Sequence, residues 1–190
     1  MEYAESAGFT AQGAWAGAHG VIAFNGSQSC LEEWFGTFYH RVPLTHPGLL
    51  RVGFGAAGET SVVDCGSLQD PTGAYEGHYP FDGQTSVPRA FTPELPNPVP
   101  EREDQSTLGY PITYQIGPDW GDGKIELKLL LNGTEVPCFL STPASPTNPK
   151  VAPNGCYCLM AEEPLRANTE YQVVVNGPGH VKGFSFKTAK

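Results

Sequence analysis

The chain has 190 residues, with 11 Lys and Arg against 20 Asp and Glu and a formal net charge of −9. So acidic a surface argues against a nucleic-acid partner, whose phosphates need a basic footprint. No apolar run reaches the ~18 residues of a membrane helix.

The start, Met1 to Glu5, lacks the basic and apolar segments of a signal peptide, which we take as trimming ahead of Met1. The length suits one large domain or two small ones. Ten Phe, eight Tyr and three Trp are enough for a packed core, while 23 Gly and 18 Pro beside few charges indicate a β-rich, loop-rich chain.

Residues 1–70 carry the helical patterns. Trp15, Ala18 and Ile22 fall at helical spacing in a run of small residues. After a loop at Asn25 to Ser27, Ser29 and Glu32 form a capping box. The helix it opens has Leu31, Trp34, Phe35, Phe38 and Val42 on one face, at a 3.6-residue period. Pro43 is expected to end it. Leu50, Val52 and Phe54 alternate as a strand, with Thr60 to Cys65 as its hairpin partner.

Residues 71–108 read as a Pro-rich connector draped in extended form over a neighbour, with Tyr79, Phe81, Val87, Phe91 and Leu95 as its anchors. Residues 109–190 alternate at period two. Strands are expected at Tyr110–Ile116, Lys124–Leu131, Glu135–Leu140, Cys156–Met160, Glu170–Val175 and Val181–Thr188. Turn signals separate them at Asp122-Gly123, Asn132-Gly133, Asn154-Gly155 and Asn176-Gly177. Six such strands make an antiparallel β-sandwich.

Five cysteines include Cys156 and Cys158, too close for a C-x-x-C redox or zinc half-site. Cys138 with Cys156 or Cys158, and Cys30 with Cys65, are plausible disulfides in an oxidising compartment. Five reduced core thiols are the alternative.

The run from Trp34 through His40-Arg41 and Pro43 to Arg51, Gly53 and Gly55 resembles the helix, His-Arg and Gly-x-Gly strand signature of bacterial CAP-superfamily domains (SCP-like: cysteine-rich secretory, antigen 5, pathogenesis-related). The phrase Glu163-Pro164-Leu165, Thr169, Tyr171, Val173, Val175, closing on Phe184, Phe186 and Thr188, resembles bacterial immunoglobulin-like modules. The resemblances imply an α+β chain, with a partial CAP-like α/β part at 1–70, the connector at 71–108 and an immunoglobulin-like sandwich at 109–190. They also imply a secreted protein.

The CAP resemblance implies a cavity lined by two histidines and two acidic residues, sometimes with a divalent metal. His40 matches the second histidine; the first would lie upstream of Met1. The family's Gly-Glu-Asn carboxylate segment reads His19-Gly20-Val21 here, so His19 stands where that carboxylate is missing. Glu5 and Glu33 are the candidate carboxylates.

His40 with Glu5 or Glu33 could act as general base and acid. His40 and His19 could hold Zn²⁺ with an open position for water. His19, Trp34, Tyr39 and Trp120 are candidate ligand-binding residues, Trp120 as a sugar-stacking platform. The ordinary alternative for His40 is a histidine at a helix C-terminus, favoured by the dipole.

His46, His78 and His180 read as surface residues, and the segment from Asp119 to Gly123 as a hairpin turn. The expected function is an extracellular binding or interaction protein with a degenerate CAP cavity, its partner a polymer or a protein surface. A hydrolase of polysaccharide or peptide is the alternative.

Overall fold

The computed structural model describes residues 4–5, 7–24, 30–70, 72, 75–117, 125–177 and 180–190, with the side chains of 67, 180 and 181 set aside. Strands dominate. Thr10 opens helix α1 (Ala11–Ala18) by accepting the Gly13 N–H on its hydroxyl at 2.9 Å. The helical spacing expected to reach Ile22 stops at Ala18, and Gly20–Ala23 is strand β1. A side chain at Gly20 would put Cβ 2.5 Å from the Val63 carbonyl oxygen, so this strand needs a glycine there to pair.

Strands β2 (Leu49–Ala57) and β3 (Thr60–Gln69) form the expected hairpin, and β1 joins β3 on its other edge, giving the order β1-β3-β2. Val21, Ala23, Val63 and Cys65 bury one face of this sheet against Cys30 and Trp34 of helix α2 (Cys30–Gly36).

The apolar period that predicts one helix through Val42 is interrupted. Helix α2 ends at Gly36, and a four-residue helix, α3 (Arg41–Leu44), follows after a turn. The connector causes the break. The Gly36 carbonyl accepts the Thr92 N–H at 2.9 Å, and a Cβ on Gly36 would meet Thr92 Oγ1 at 2.0 Å. Pro43 therefore does not end a long helix. It sits third in a short one, where its missing N–H costs no hydrogen bond.

Two further sheets face each other. One has the order β4-β6-β10-β9, from β4 (Glu76–Tyr79), β6 (Ile112–Ile116), β9 (Cys138–Ser141) and β10 (Cys156–Ala161). The other runs β5-β12-β11-β7-β8, from β5 (Gln84–Val87), β7 (Glu126–Leu131), β8 (Thr134–Glu135), β11 (Glu170–Gly177) and β12 (His180–Thr188). All pairings are antiparallel except β5 with β12.

Ile112, Tyr114, Leu127, Leu129, Leu159, Val173, Val175 and Phe186 fill the space between these sheets. Asn132 and Gly133, at φ 50° and 79°, make the tight β7–β8 turn that Asn-Gly favours. Asn176 and Gly177 are instead the last paired residues of β11, opposite Val181 and His180. Tyr171 Oη accepts the Arg166 N–H at 2.9 Å.

The connector supplies β4 and β5, so each sheet has an edge strand from residues before 109. Val87 and Phe91 are buried anchors and Tyr79 packs at the edge of the core, whereas Phe81 and Leu95 are exposed. Every residue of β10 is buried, because the outer face of its sheet is covered as well. There Cys156, Cys158 and Met160 pack against Phe38, Phe91, Val99 and Leu108.

The disulfide expectation is corrected: all five cysteines are free. Cys138 lies opposite Ala161 rather than opposite Cys156 or Cys158. The latter two, a two-residue step apart, share one face of β10. Cys30 and Cys65 are separate thiols in one apolar cluster.

Candidate functional site

The turn between α2 and α3 presents three successive amides and an imidazole to one side chain, Glu94 of the connector. Glu94 Oε1 accepts from Phe38 N at 2.6 Å and Tyr39 N at 3.0 Å. Oε2 accepts from Tyr39 N at 3.1 Å, His40 N at 3.4 Å and His40 Nδ1 at 2.8 Å. These amides belong to the turn that leads into α3, with His40 as its N-cap, and the carboxylate meets donors that neither helix bonds. Because a carboxylate only accepts, Nδ1 carries the proton, and a neutral His40 ring keeps Nε2 as an acceptor.

Glu94 is held from behind by Gln105, whose Oε1 accepts the Glu94 N–H and whose Nε2 donates to the Glu94 carbonyl, both at 3.0 Å. The Glu94 side chain is 1% exposed and that of His40 31%. The carboxylate is therefore buried and fully engaged while the imidazole reaches solvent.

Arg41 points the other way and is fully buried. Its guanidinium donates to the carbonyls of Phe35 and Pro111, with Nε to Phe35 O at 2.7 Å. Its Cζ lies 4.8 Å from the ring centre of Tyr79 and 4.5 Å from that of Tyr110. No carboxylate neutralises it among the described residues. Its charge is met by the Phe35 carbonyl at the C-terminal end of α2, by the Pro111 carbonyl and by two aromatic faces. Burial pulls its pKa down from the usual guanidinium value. Tyr110 Oη donates to the same Phe35 carbonyl at 2.8 Å.

Tyr39 stacks on Phe38, with ring centres 4.7 Å apart. Its buried hydroxyl has no hydrogen-bond partner in the structure. Burial, with the nearby Glu94 charge, pushes that hydroxyl up to about 12.

The other sequence candidates lie elsewhere. His19 caps α1, with Nδ1 2.7 Å from the Trp15 carbonyl and its ring stacked on Trp15. No hydrogen bond or ring contact joins it to His40. Trp34 is 4% exposed in the core under β1 and β3. Glu5 and Glu33 are exposed, and Trp120 lies outside the described residues.

Among the described residues no three His, Cys, Asp or Glu side chains gather to hold a metal. Two histidines read as surface residues are partly buried. His46 Nδ1 accepts the Gly48 N–H at 3.1 Å, and His78 stacks on Phe184 at 3.8 Å. The side chain of His180 is outside the description.

The sequence reading missed Glu94. Its only signal is an acidic residue between two prolines, Pro93 and Pro96, with no other charge between Arg89 and Glu101.

No family model matches the chain, and no curated protein matches it. Among solved structures, the crystal structure of the titin domains Z1Z2 in complex with telethonin is similar at 8% identity, over 76% of this chain and 72% of that chain, with a TM-score of 0.30. Among the described residues no helix is long and apolar enough to cross a membrane.

Proposed function

We propose that this chain is an extracellular binding or interaction protein, in which a degenerate CAP-like segment is clamped onto an immunoglobulin-like sandwich. The strand order supports the sandwich reading. With β4, β6, β10 and β9 as strands A, B, E and D, and β12, β11 and β7 as G, F and C, the two sheets have the immunoglobulin partition. Tyr171 near the start of strand F, bonded back to the Arg166 amide, matches the tyrosine corner of that fold. The extracellular location rests on the family resemblances alone, since the thiols are unpaired.

The observation that carries the binding reading is the full engagement of Glu94. Its two oxygens take three backbone amides and the His40 ring, so neither is left to move a substrate proton. His40-Arg41 then works as a joint: His40 fastens to the connector and Arg41 to the sandwich at Pro111.

A hydrolase remains the second reading, favoured by one feature. An imidazole held at Nδ1 by a buried carboxylate 2.8 Å away, with its ring partly exposed, has the geometry of an oriented general base. Assays for new reducing ends and new amines, over panels of polysaccharides and peptides, test the choice. We expect no turnover from the wild type, and a His40→Ala variant that melts at a lower temperature. Turnover lost in a His40→Ala variant that melts like the wild type would establish the hydrolase instead.

A further inference from the structure

Of the seven asparagines, Asn25, Asn132, Asn154 and Asn176 each precede a glycine. A glycine in that place leaves the next amide nitrogen unshielded, free to reach the carboxamide carbon. Asn25 lies outside the described residues. Asn97 and Asn148 precede prolines, which have no N–H. Asn168 precedes Thr169, whose branched side chain crowds its own nitrogen and whose N–H donates to Thr188 Oγ1 at 2.9 Å.

The fold separates the three remaining Asn-Gly pairs. Asn176 sits inside β11, paired with Val181 of β12 on one side and Glu126 of β7 on the other. Gly155 is pressed onto β6. Its carbonyl accepts the Ile116 N–H at 2.9 Å, and a Cβ there would lie 2.5 Å from the Ile116 carbonyl oxygen. Asn132 differs from both. It is exposed, and neither its side chain nor the Gly133 N–H makes a hydrogen bond among the described residues. A Cβ on Gly133 would have no atom within 4 Å. The turn closes only the two-residue edge strand β8, tied by an exposed Lys128–Glu135 pair at 3.0 Å that adds little. So short an edge opens locally at far lower cost than the sheet, and opening releases the turn from its closed φ angles.

We propose that Asn132 is a self-modification site, at which the folded chain deamidates and converts its β7–β8 turn to an isoaspartyl linkage. The Gly133 amide nitrogen gives its proton to water and attacks Cγ of Asn132. A new N–C bond closes a succinimide ring. The C–N bond of the carboxamide breaks, and the amine takes a proton from water and leaves as ammonia. Water then adds to either ring carbonyl, one ring N–C bond opens, and aspartate or isoaspartate results. Water is the only co-reactant, and nothing is oxidised or reduced. The isoaspartyl product runs the main chain through the former side chain, adding one carbon to a two-residue turn and one negative charge. Leu131 and Thr134, paired across the turn, then lose their register, and β8 leaves the sheet.

Ageing the folded full chain in mildly alkaline buffer tests this, with peptide mapping by mass spectrometry and isoaspartate detected by enzymatic methylation. The mass gain of one deamidation should accumulate at Asn132, with isoaspartate among the products, while Asn154 and Asn176 lag by about tenfold or more. In denaturant the three should react at similar rates, because no fold then ranks them. The aged wild type should melt at a lower temperature than the fresh protein. Asn132→Gly, whose Gly-Gly turn keeps the positive φ angles, should melt like the fresh wild type and not drift on ageing. An unreacted Asn132 in the folded chain would overturn the proposal. So would Asn154 or Asn176 reacting as fast, or a ranking that persists in denaturant. An Asn132→Gly variant that drifts as the wild type does would overturn the loss of β8. If that variant fails to fold, the site ranking in the wild type decides alone.

Discussion

Glu94 accepts from three amides and an imidazole while almost wholly buried, so removing its carboxylate strands several donors at once. Glu94→Ala should cost about 3 kcal/mol of stability, measured by chemical denaturation. Burial lowers the pKa of His46 below the ordinary imidazole value, and its Nδ1 can accept the Gly48 N–H only while unprotonated. The unfolded chain therefore binds a proton first, near the unperturbed value of about 6.5. The contribution of His46 is intact above that pH and is lost as the pH falls below it. The melting temperature should drop on acidification, and less steeply in His46→Gln; an identical drop in that variant would contradict the assignment. Burial also pushes the thiols up, Cys65 to about 11 and Cys138 and Cys156 each to about 12. Since the thiolate is the reactive form, these three should resist alkylation at neutral pH in the native state. All five cysteines should take up label on unfolding, with no reductant needed; any cysteine that requires one would reveal a disulfide.

Alternation at period two carries its meaning locally, which is why β6, β7, β10, β11 and β12 were legible within a few residues at each end; the single strand expected at Glu135–Leu140 is instead split, Thr134–Glu135 joining one sheet as β8 and Cys138–Ser141 the other as β9. The β2–β3 hairpin was legible for the same reason. The α2–α3 break was not. Trp34, Phe35, Phe38 and Val42 keep a helical period across it, and the cause is a connector segment more than fifty residues away. Glu94 was illegible on the same ground: nothing near it in sequence marks a carboxylate that caps a distant turn. Strands β4 and β5 were hidden by the prolines around them, though Val87 ends fully buried. They set a prediction for fragments. Residues 75–190, which keep both edge strands, should show a cooperative thermal transition. Residues 106–190, without them, should melt far lower or not cooperatively. Equal melts would mean that β4 and β5 are ornamental.

The N-terminal part and the sandwich share a layer of packing, since Phe38 meets Cys158 and Met160 on the outer face of β10. The His40-Arg41 pair fixes that layer at two points, one on the connector and one on the sandwich. Phe38→Ala, at a fully buried site, should destabilise the whole chain by about 3–5 kcal/mol in chemical denaturation. Two separate transitions in that variant would show that the layer does not couple the parts. The central claim is that His40 and Glu94 form a joint, and the measurement that addresses it most directly is a denaturation double-mutant cycle on His40→Ala and Glu94→Gln. The account predicts that each single change lowers stability and that the two are coupled by about 0.5–3 kcal/mol, the range for residues in contact. Additive effects, or a His40→Ala variant as stable as the wild type, would contradict it.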